Sequence, residues 1–352
     1  MQDKTILIFG GSGSLGMQIL RRYGQTNQIV NFSRDAGKHW KMELNLSGET
    51  KLRNVVGDVS DYQRVLCVLG EVNPHIIIMA AALKYIERCE FNIHESLKTN
   101  CLGTKNVLEA ITAGRSLLTH LETVVFVSTD KACAPLNVYG LCKAISEKLT
   151  IEAAYKDPKI KYVCVRYGNV LNSNGSIIPI LHEIGLNKAR PHFMLTHPEM
   201  TRFVMTLDES VSTIEHAILH GKSGEIIVPI LQAMQVKDLI DIFADKYKKP
   251  IVIGDLRVGE KLHECLISEI EWRRVHHEKG YYHLIPCFPN ESKDNKRNDR
   301  TEEKYTALAF SSTAGADYSS NLSQIQVDKI TLEASLHSFG LLESSIVRDL
   351  DH

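Results

Sequence analysis

The 352-residue chain carries no excess of either charge: 41 lysines and arginines stand against 42 aspartates and glutamates, a net charge of −1. That balance argues against a protein that coats nucleic acid. Nor is there an apolar run long enough to cross a bilayer; the longest, at 76–83, suits a core strand. The apolar stretch at 5–9 is too short for a secretory signal and runs into glycines. The eight cysteines show neither CxxC nor CxxH spacing, so neither a metal site nor a disulfide frame is expected. Reduced thiols in a cytoplasmic protein fit them best. No internal repeat is present. What the composition does supply is 43% apolar residues, enough for a large α/β domain and a smaller lobe.

Strand-like and helix-like stretches alternate from the start. Residues 5–9 (TILIF) read as a buried strand and 15–23 as a helix, with GGSGSLG between them. Gly10, Gly13 and Gly16 let the backbone turn tightly and approach a pyrophosphate at the helix N-terminus. Ser12, Ser14 and Leu15 complete the loop, and a dinucleotide is its expected ligand. A second strand at 29–32 ends in Ser33 and Arg34. An acidic residue there would hold the ribose 2′-hydroxyl of NAD. Arg34, with Lys38 nearby, suits the 2′-phosphate of NADP instead, although Asp35 adjoins it. Asp58, beside Val59 at a third strand end, is placed to accept from the adenine amino group. A helix at 61–71 and a strand at 75–79 follow. Ala80, Ala81 and Ala82 leave room for the cofactor, and Lys84 points to the same edge. A long amphipathic helix is expected over 93–113, carrying Asn100.

The richest stretch is 124–148. A β-branched run at 124–127 leads into Ser128, Thr129, Asp130 and Lys131, where a parallel sheet binds ligands. Pro135 and Asn137 mark a turn, and a helix begins near Val138. Tyr139 and Lys143 then lie one helical turn apart on one face. A cation so placed favours the phenolate and makes the tyrosine a base for an alcohol. Asp130 and Lys131 add an acid and a base at the same strand end. The base can take the acidic proton beside a newly formed ketone while the acid protonates a departing hydroxyl. After a sixth strand at 161–165 the pattern loosens. Helices are expected at 175–187, 207–220 and 236–246, with strands at 225–230 and 251–253. Arg202, Arg257 and Lys261 are candidate diphosphate ligands, the last two in a loop before another helix.

The expected fold class is α/β: a doubly wound parallel sheet (Rossmann) with a smaller C-terminal substrate-binding lobe. The cofactor domain spans 1–170, with a strand and helix at about 207–230 returning to it. The substrate lobe spans 171–289. Residues 290–322 read as a flexible charged and polar segment, and 323–352 as a C-terminal helix and tail.

Together, GGSGSLG, SRD, GDV, AAALK, STDKA with the following NVYGLCK, RYGNV, MTRF and RVGEK resemble the extended short-chain dehydrogenase/reductase superfamily. Within it they are similar to the UDP-N-acetylglucosamine 4,6-dehydratases that invert carbon 5. The resemblance spans about 4–289. Ordinary 4-epimerases of the superfamily carry Ser or Thr without the Asp-Lys pair. Nucleotide-glucose 4,6-dehydratases carry Asp-Glu, and retaining or bifunctional aminosugar dehydratases often have Met where Tyr139 stands. The resemblance implies that Thr129 binds the 4-hydroxyl and Asp130 helps expel the 6-hydroxyl. Lys131 would be the base at carbon 5, with Tyr139 and Lys143 driving oxidation at carbon 4. Lys84, Asn169, Thr196, Arg202, Arg257 and Glu260 would contact the UDP-sugar. NADP is favoured over NAD, and a homo-oligomer is implied. A basic residue usual in that family near Asn174 is absent here. The alternatives are a UDP-hexose 4-epimerase and a binding protein that senses NADP without catalysis.

Overall fold

The computed structural model describes residues 1–44, 46, 50–286 and 317–343. β1 (Thr5–Phe9), α1 (Ser14–Tyr23), β2 (Gln28–Ser33), α2 (Ala36–Leu44), β3 (Leu52–Val56), α3 (Tyr62–Val72) and β4 (Ile76–Met79) alternate through the first part. The short helices α4 (Ile86–Phe91) and α5 (Ile93–Ser96) follow. They lead through a π-helical turn at Leu97–Leu102 into α6 (Gly103–Ala113). The helix expected over 93–113 is thus interrupted, and the wide turn carries Asn100. β5 (Thr123–Val127), α7 (Val138–Lys156) and β6 (Lys161–Val165) come next.

These strands form one parallel sheet in the order β3-β2-β1-β4-β5-β6. The order reverses between β1 and β4, which opens a crevice at the strands' carboxyl ends. β4 and β5 are buried throughout, as near-continuous Ile/Val runs must be when helices cover both faces.

Beyond β6 lie β7 (Asn169–Val170), α8 (Ile177–Leu186), β8 (Phe193–Leu195), β9 (Thr201–Met205), α9 (Leu207–Leu219) and β10 (Ile226–Pro229). A capping box of Thr206 and Glu209 starts α9. Arg22 of α1 grips Asp208 at 2.7 Å, so α9 packs on the cofactor domain, and β10 pairs parallel with β6. β11 (Gln232–Gln235), α10 (Val236–Tyr247), β12 (Ile251–Ile253), β13 (Cys265–Ile267), α11 (Glu269–Trp272), β14 (Val275–Glu278) and β15 (Tyr281–Leu284) follow. The loop at 257–261 leads to strand β13, where a helix was expected. β14 and β15 form a hairpin whose two loop residues, Lys279 and Gly280, have φ of 50° and 82°. The hairpin joins the large sheet antiparallel beside β10. This part of 171–289 therefore lies outside the smaller lobe.

The lobe has its own core, in which Ile178, Phe193, Leu239, Phe243, Leu332 and Leu336 are all buried. It is built from the β7-β9-β11 and β8-β12 sheets with α8, α10 and α12 (Lys329–Ser338). β16 (Tyr318–Ser319) pairs antiparallel with β13. The Tyr318 hydroxyl donates to Leu231 O at 3.1 Å and accepts from Leu231 N at 2.8 Å. Most of the segment expected to be flexible, 290–322, lies outside the described residues. Its described end is instead packed, because the buried Tyr318 ring and the β13–β16 ladder hold it. The tail at 344–352 also lies outside the described residues. Among the described residues, no helix is long and apolar enough to cross a membrane.

Candidate active site

The β1–α1 loop is shaped by backbone contact. Gly10 has φ of +88°, and a Cβ there would sit 2.7 Å from Ala81 Cα. A Cβ on Gly16 would lie 2.1 Å from Gly11 O. The loop therefore presses onto the end of β4, where Ala80, Ala81 and Ala82 stay half-buried. Gly13 N donates to Gly10 O at 3.1 Å, and no side chain caps α1. The first amides of that helix are left for an anion. This cradle fits a dinucleotide pyrophosphate. Ser12 and Leu15 line it half-buried. Ser14 Oγ accepts from Asn174 N at 2.8 Å, which ties the loop to the lobe where the basic residue is missing.

At the ribose end the cations are less free than expected. Ser33 Oγ lies 2.7 Å from His39 Nε2. Arg34 is exposed but reaches Asp58 at 3.5 Å, and Asp58 also accepts from Ser60 N at 2.8 Å. Partial burial pushes the Asp58 carboxyl up; the Ser60 amide and Arg34 outweigh it and hold it below its ordinary range. Val59 is buried, and its carbonyl accepts from Asn106 at 3.0 Å. Lys38 is exposed. Lys84 reaches solvent on the cleft floor, where surrounding protein and the charge of Lys38 pull its ammonium down. Asn100 turns its side chain to the backbone of Leu83. Its amide accepts from Leu83 N at 2.7 Å and donates to Leu83 O at 2.9 Å. It clamps the backbone between Ala82 and Lys84.

Thr129 caps a 3-10 turn, Asp130–Ala132, at the end of β5. Thr129 Oγ1 donates to Asp130 Oδ1 at 2.8 Å, and Lys131 Nζ donates to the same oxygen at 2.9 Å. Lys131 also donates to Asn169 Oδ1 at 3.2 Å and lies 3.5 Å from Glu264. Asp130 is fully buried, and its Oδ2 has no hydrogen-bond partner; nor has Glu264 Oε2, which lies 4.0 Å from Lys261 Nζ. Burial works against the Lys131 charge, but Asp130 and Glu264 outweigh it and hold the ammonium above its ordinary range. Burial, opposed by Lys131 and reinforced by Asp130, raises the Glu264 carboxyl.

Tyr139 is buried on α7, and burial pushes its phenol up to about 12. Lys131 and a hydrogen bond with Thr129 pull the other way. The spacing predicts Lys143 as the cation that eases Tyr139. Instead Lys143 donates to Val127 O at 2.7 Å and lies over the Phe126 ring at 4.5 Å. Burial draws its own ammonium down to about 8. Lys131 is the cation acting on the phenol.

On the lobe side, Arg202 of β9 donates to Thr201 O at 2.8 Å and Leu262 O at 3.1 Å, and meets Glu260 at 3.4 Å. Glu260 Oε2 accepts from Arg257 N at 3.5 Å, while the Arg257 side chain is exposed. Thr196 is buried against Met200 at 3.6 Å. Lys261, expected as a diphosphate ligand, is turned inward, donating to Cys133 O at 2.8 Å just beyond the 130–132 turn. Thr129, Asp130, Lys131, Tyr139 and Asn169 thus meet, with Arg202 and Glu260 behind. Sequence reasoning missed Glu264, pinned by Ser320 through Glu264 N to Ser320 Oγ at 2.9 Å and Ser320 N to Glu264 O at 2.8 Å. Its signal was a carboxylate leading straight into the buried run Cys265–Ile267. Arg166 was missed as well. It bridges Glu147 at 2.7 Å and Glu271 at 2.9 Å beneath the site.

A family model described as "Polysaccharide biosynthesis protein" matches residues 6–286. The chain belongs to this family. An uncharacterized membrane protein of Methanocaldococcus jannaschii is 38% identical over 310 residues, 84% of this chain and 90% of that one. A UDP-glucose 4-epimerase of Rickettsia prowazekii is 36% identical over 347 residues, 94% and 96% of the two chains. The structure of Pen from Bacillus thuringiensis superposes with a TM-score of 0.83 at 26% identity, covering 97% of this chain and 99% of that one. More distant epimerases and 4,6-dehydratases share the fold. The family member described here is a short-chain dehydrogenase/reductase of the sugar-nucleotide epimerase and dehydratase type.

Proposed function

We propose that the protein is a UDP-N-acetylglucosamine 4,6-dehydratase that inverts carbon 5, acting in polysaccharide biosynthesis. The observation that carries this reading is the Asp130–Lys131 pair, 2.9 Å apart at the end of β5 in the surroundings of Tyr139. A 4-epimerase moves only the 4-hydroxyl proton and needs no acid–base pair at carbons 5 and 6. Bound NADP, held by the cradle of Gly10, Gly13 and Gly16, would accept a hydride from carbon 4 and later return it to carbon 6.

The chain's own residues supply the rest. Thr129 orients the 4-hydroxyl, and Tyr139 takes its proton as the phenolate, having first lost its own phenolic proton to solvent, an ionisation helped by the Lys131 charge. Lys131 in its ammonium form is no base. Passing a proton from Lys131 Nζ to Asp130 Oδ1 across their hydrogen bond makes an amine and a carboxylic acid together. The amine then removes the carbon-5 proton, and the acid gives its proton to the 6-hydroxyl, which leaves as water. Hydride return to carbon 6 is completed by a proton from solvent delivered to carbon 5 on the face opposite Lys131, which inverts that centre. Lys143 supports the cofactor ribose. Lys84, Asn169, Thr196, Arg202, Arg257 and Glu260 form the UDP-sugar side, in a cytoplasmic homo-oligomer. Arg34 and Lys38 favour NADP; NAD binding markedly tighter than NADP removes that assignment.

The relative named UDP-glucose 4-epimerase, matched along 94% of this chain, supports a second reading as a 4-epimerase. Mass spectrometry after incubation with UDP-N-acetylglucosamine and NADP separates the two. A product lighter by one water is expected; an isobaric product makes it an epimerase. Binding of both ligands without turnover makes it a sensing protein.

A further inference from the structure

A second cluster of chemical groups lies at the opposite end of the sheet. Glu225 immediately precedes β10, so it stands at the amino ends of the strands, away from the catalytic turn. His276 and His283 face each other as direct partners in the antiparallel β14–β15 pair. We propose that Glu225, His276 and His283 bind one divalent transition-metal ion of the zinc type and thereby staple the β14–β15 hairpin to β10.

One ligand atom from each of the three residues lies within 4.8 Å of the other two. Glu225 and His283 are buried, while His276 is half-buried and leaves an entry path. One carboxylate oxygen and two imidazole nitrogens are a donor set zinc accepts, with a fourth position left for water. His283 Nδ1 is 2.9 Å from Glu225 Oε2, and its Nε2 is 2.9 Å from His216 Nε2. As a metal ligand His283 would bind through Nδ1 and donate from Nε2 to His216; with no metal bound, its Nδ1–H donates to Glu225 instead. That hydrogen bond alone does not account for His276, whose ring stacks on His283 with centroids 4.7 Å apart and brings a third ligand atom to the same point. His216, itself stacked on Tyr281 at 3.9 Å, becomes the outer partner that fixes the His283 tautomer and orientation. Cysteine spacing could not reveal such a site, because its members are scattered over three segments and contain no cysteine.

The test uses the full-length chain with any affinity tag removed. Metal content is measured after dialysis against zinc chloride, and affinity by calorimetric titration with zinc. Expected is one zinc per chain, with a higher Tm in its presence. Glu225→Gln and His276→Ala should each weaken binding by more than about 100-fold, and His216→Gln by about 10- to 100-fold. Because His276 is half-buried, its variant should keep the wild-type circular dichroism. Sugar-nucleotide turnover should not change in His276→Ala. No zinc uptake, or an affinity unchanged in both ligand variants, overturns the proposal. The contact is then an imidazolium–carboxylate pair.

Discussion

The glycine loop at 10–16 and the cluster around Lys131 both lie at the carboxyl ends of one parallel sheet, yet they are assembled differently. The loop is contiguous, and its shape comes from missing side chains: Gly10 meets Ala81, and Gly16 meets Gly11. The Lys131 cluster draws Asp130, Asn169 and Glu264 from separate segments and depends on charges that burial has separated from water. One region tolerates no added atom at Gly10 or Gly16. The other tolerates no lost partner. Steric fit is written locally in the sequence, whereas a buried charge cluster exists only once the lobe has folded onto the sheet.

The contrast can be broken most severely at Gly16. Gly16→Val must push against Gly11 backbone, which has nowhere to go. Dinucleotide binding, followed by fluorescence titration, should be lost altogether; retained binding would separate the loop from the cofactor. Next comes Tyr139→Phe, which should lower turnover by about 10²- to 10⁴-fold with little change in cofactor affinity. Lys131→Met should act on stability as well as chemistry. It strands the Asp130 and Glu264 carboxylates in a buried site, and urea denaturation should show a loss of about 3–5 kcal/mol. A neutral result would mean that the cluster is solvated.

The smallest effect is a dependence on pH. Lys143 titrates near 8 in the fold, against 10.5 ordinarily. Between those values the unfolded chain holds the extra proton, so stability rises with pH across the window. Below pH 8 the folded lysine is charged as well, and the full cost of its burial is felt. Lys143→Met should flatten that rise and stabilise the cofactor-free protein near neutral pH, as denaturation at about pH 7 and pH 10 would show.

The same contrast explains what was legible in advance. Alternation of Ile/Val runs with amphipathic stretches revealed the sheet and helices, and STDKA marked the buried polar turn at the end of β5. The Lys279-Gly280 hairpin was not foreseen, because its strands are too short to show a period. Asn100 and Lys261 sit at expected positions but spend their polar groups on Leu83 and Cys133 backbone. Only tertiary contact decides that. Lys143 has the right spacing, but Lys131 supplies the charge, because burial between two carboxylates keeps it an ammonium. Glu264 lies far along the chain and carries no motif of its own.

Product NMR in deuterated water, with UDP-N-acetylglucosamine as substrate, tests the Asp130–Lys131 chemistry most directly. The account predicts a 6-deoxy-4-keto sugar carrying deuterium at carbon 5, in inverted configuration, and no such product from Lys131→Met. A 4-epimer with its carbon-5 hydrogen intact, formed equally well by that variant, would contradict it.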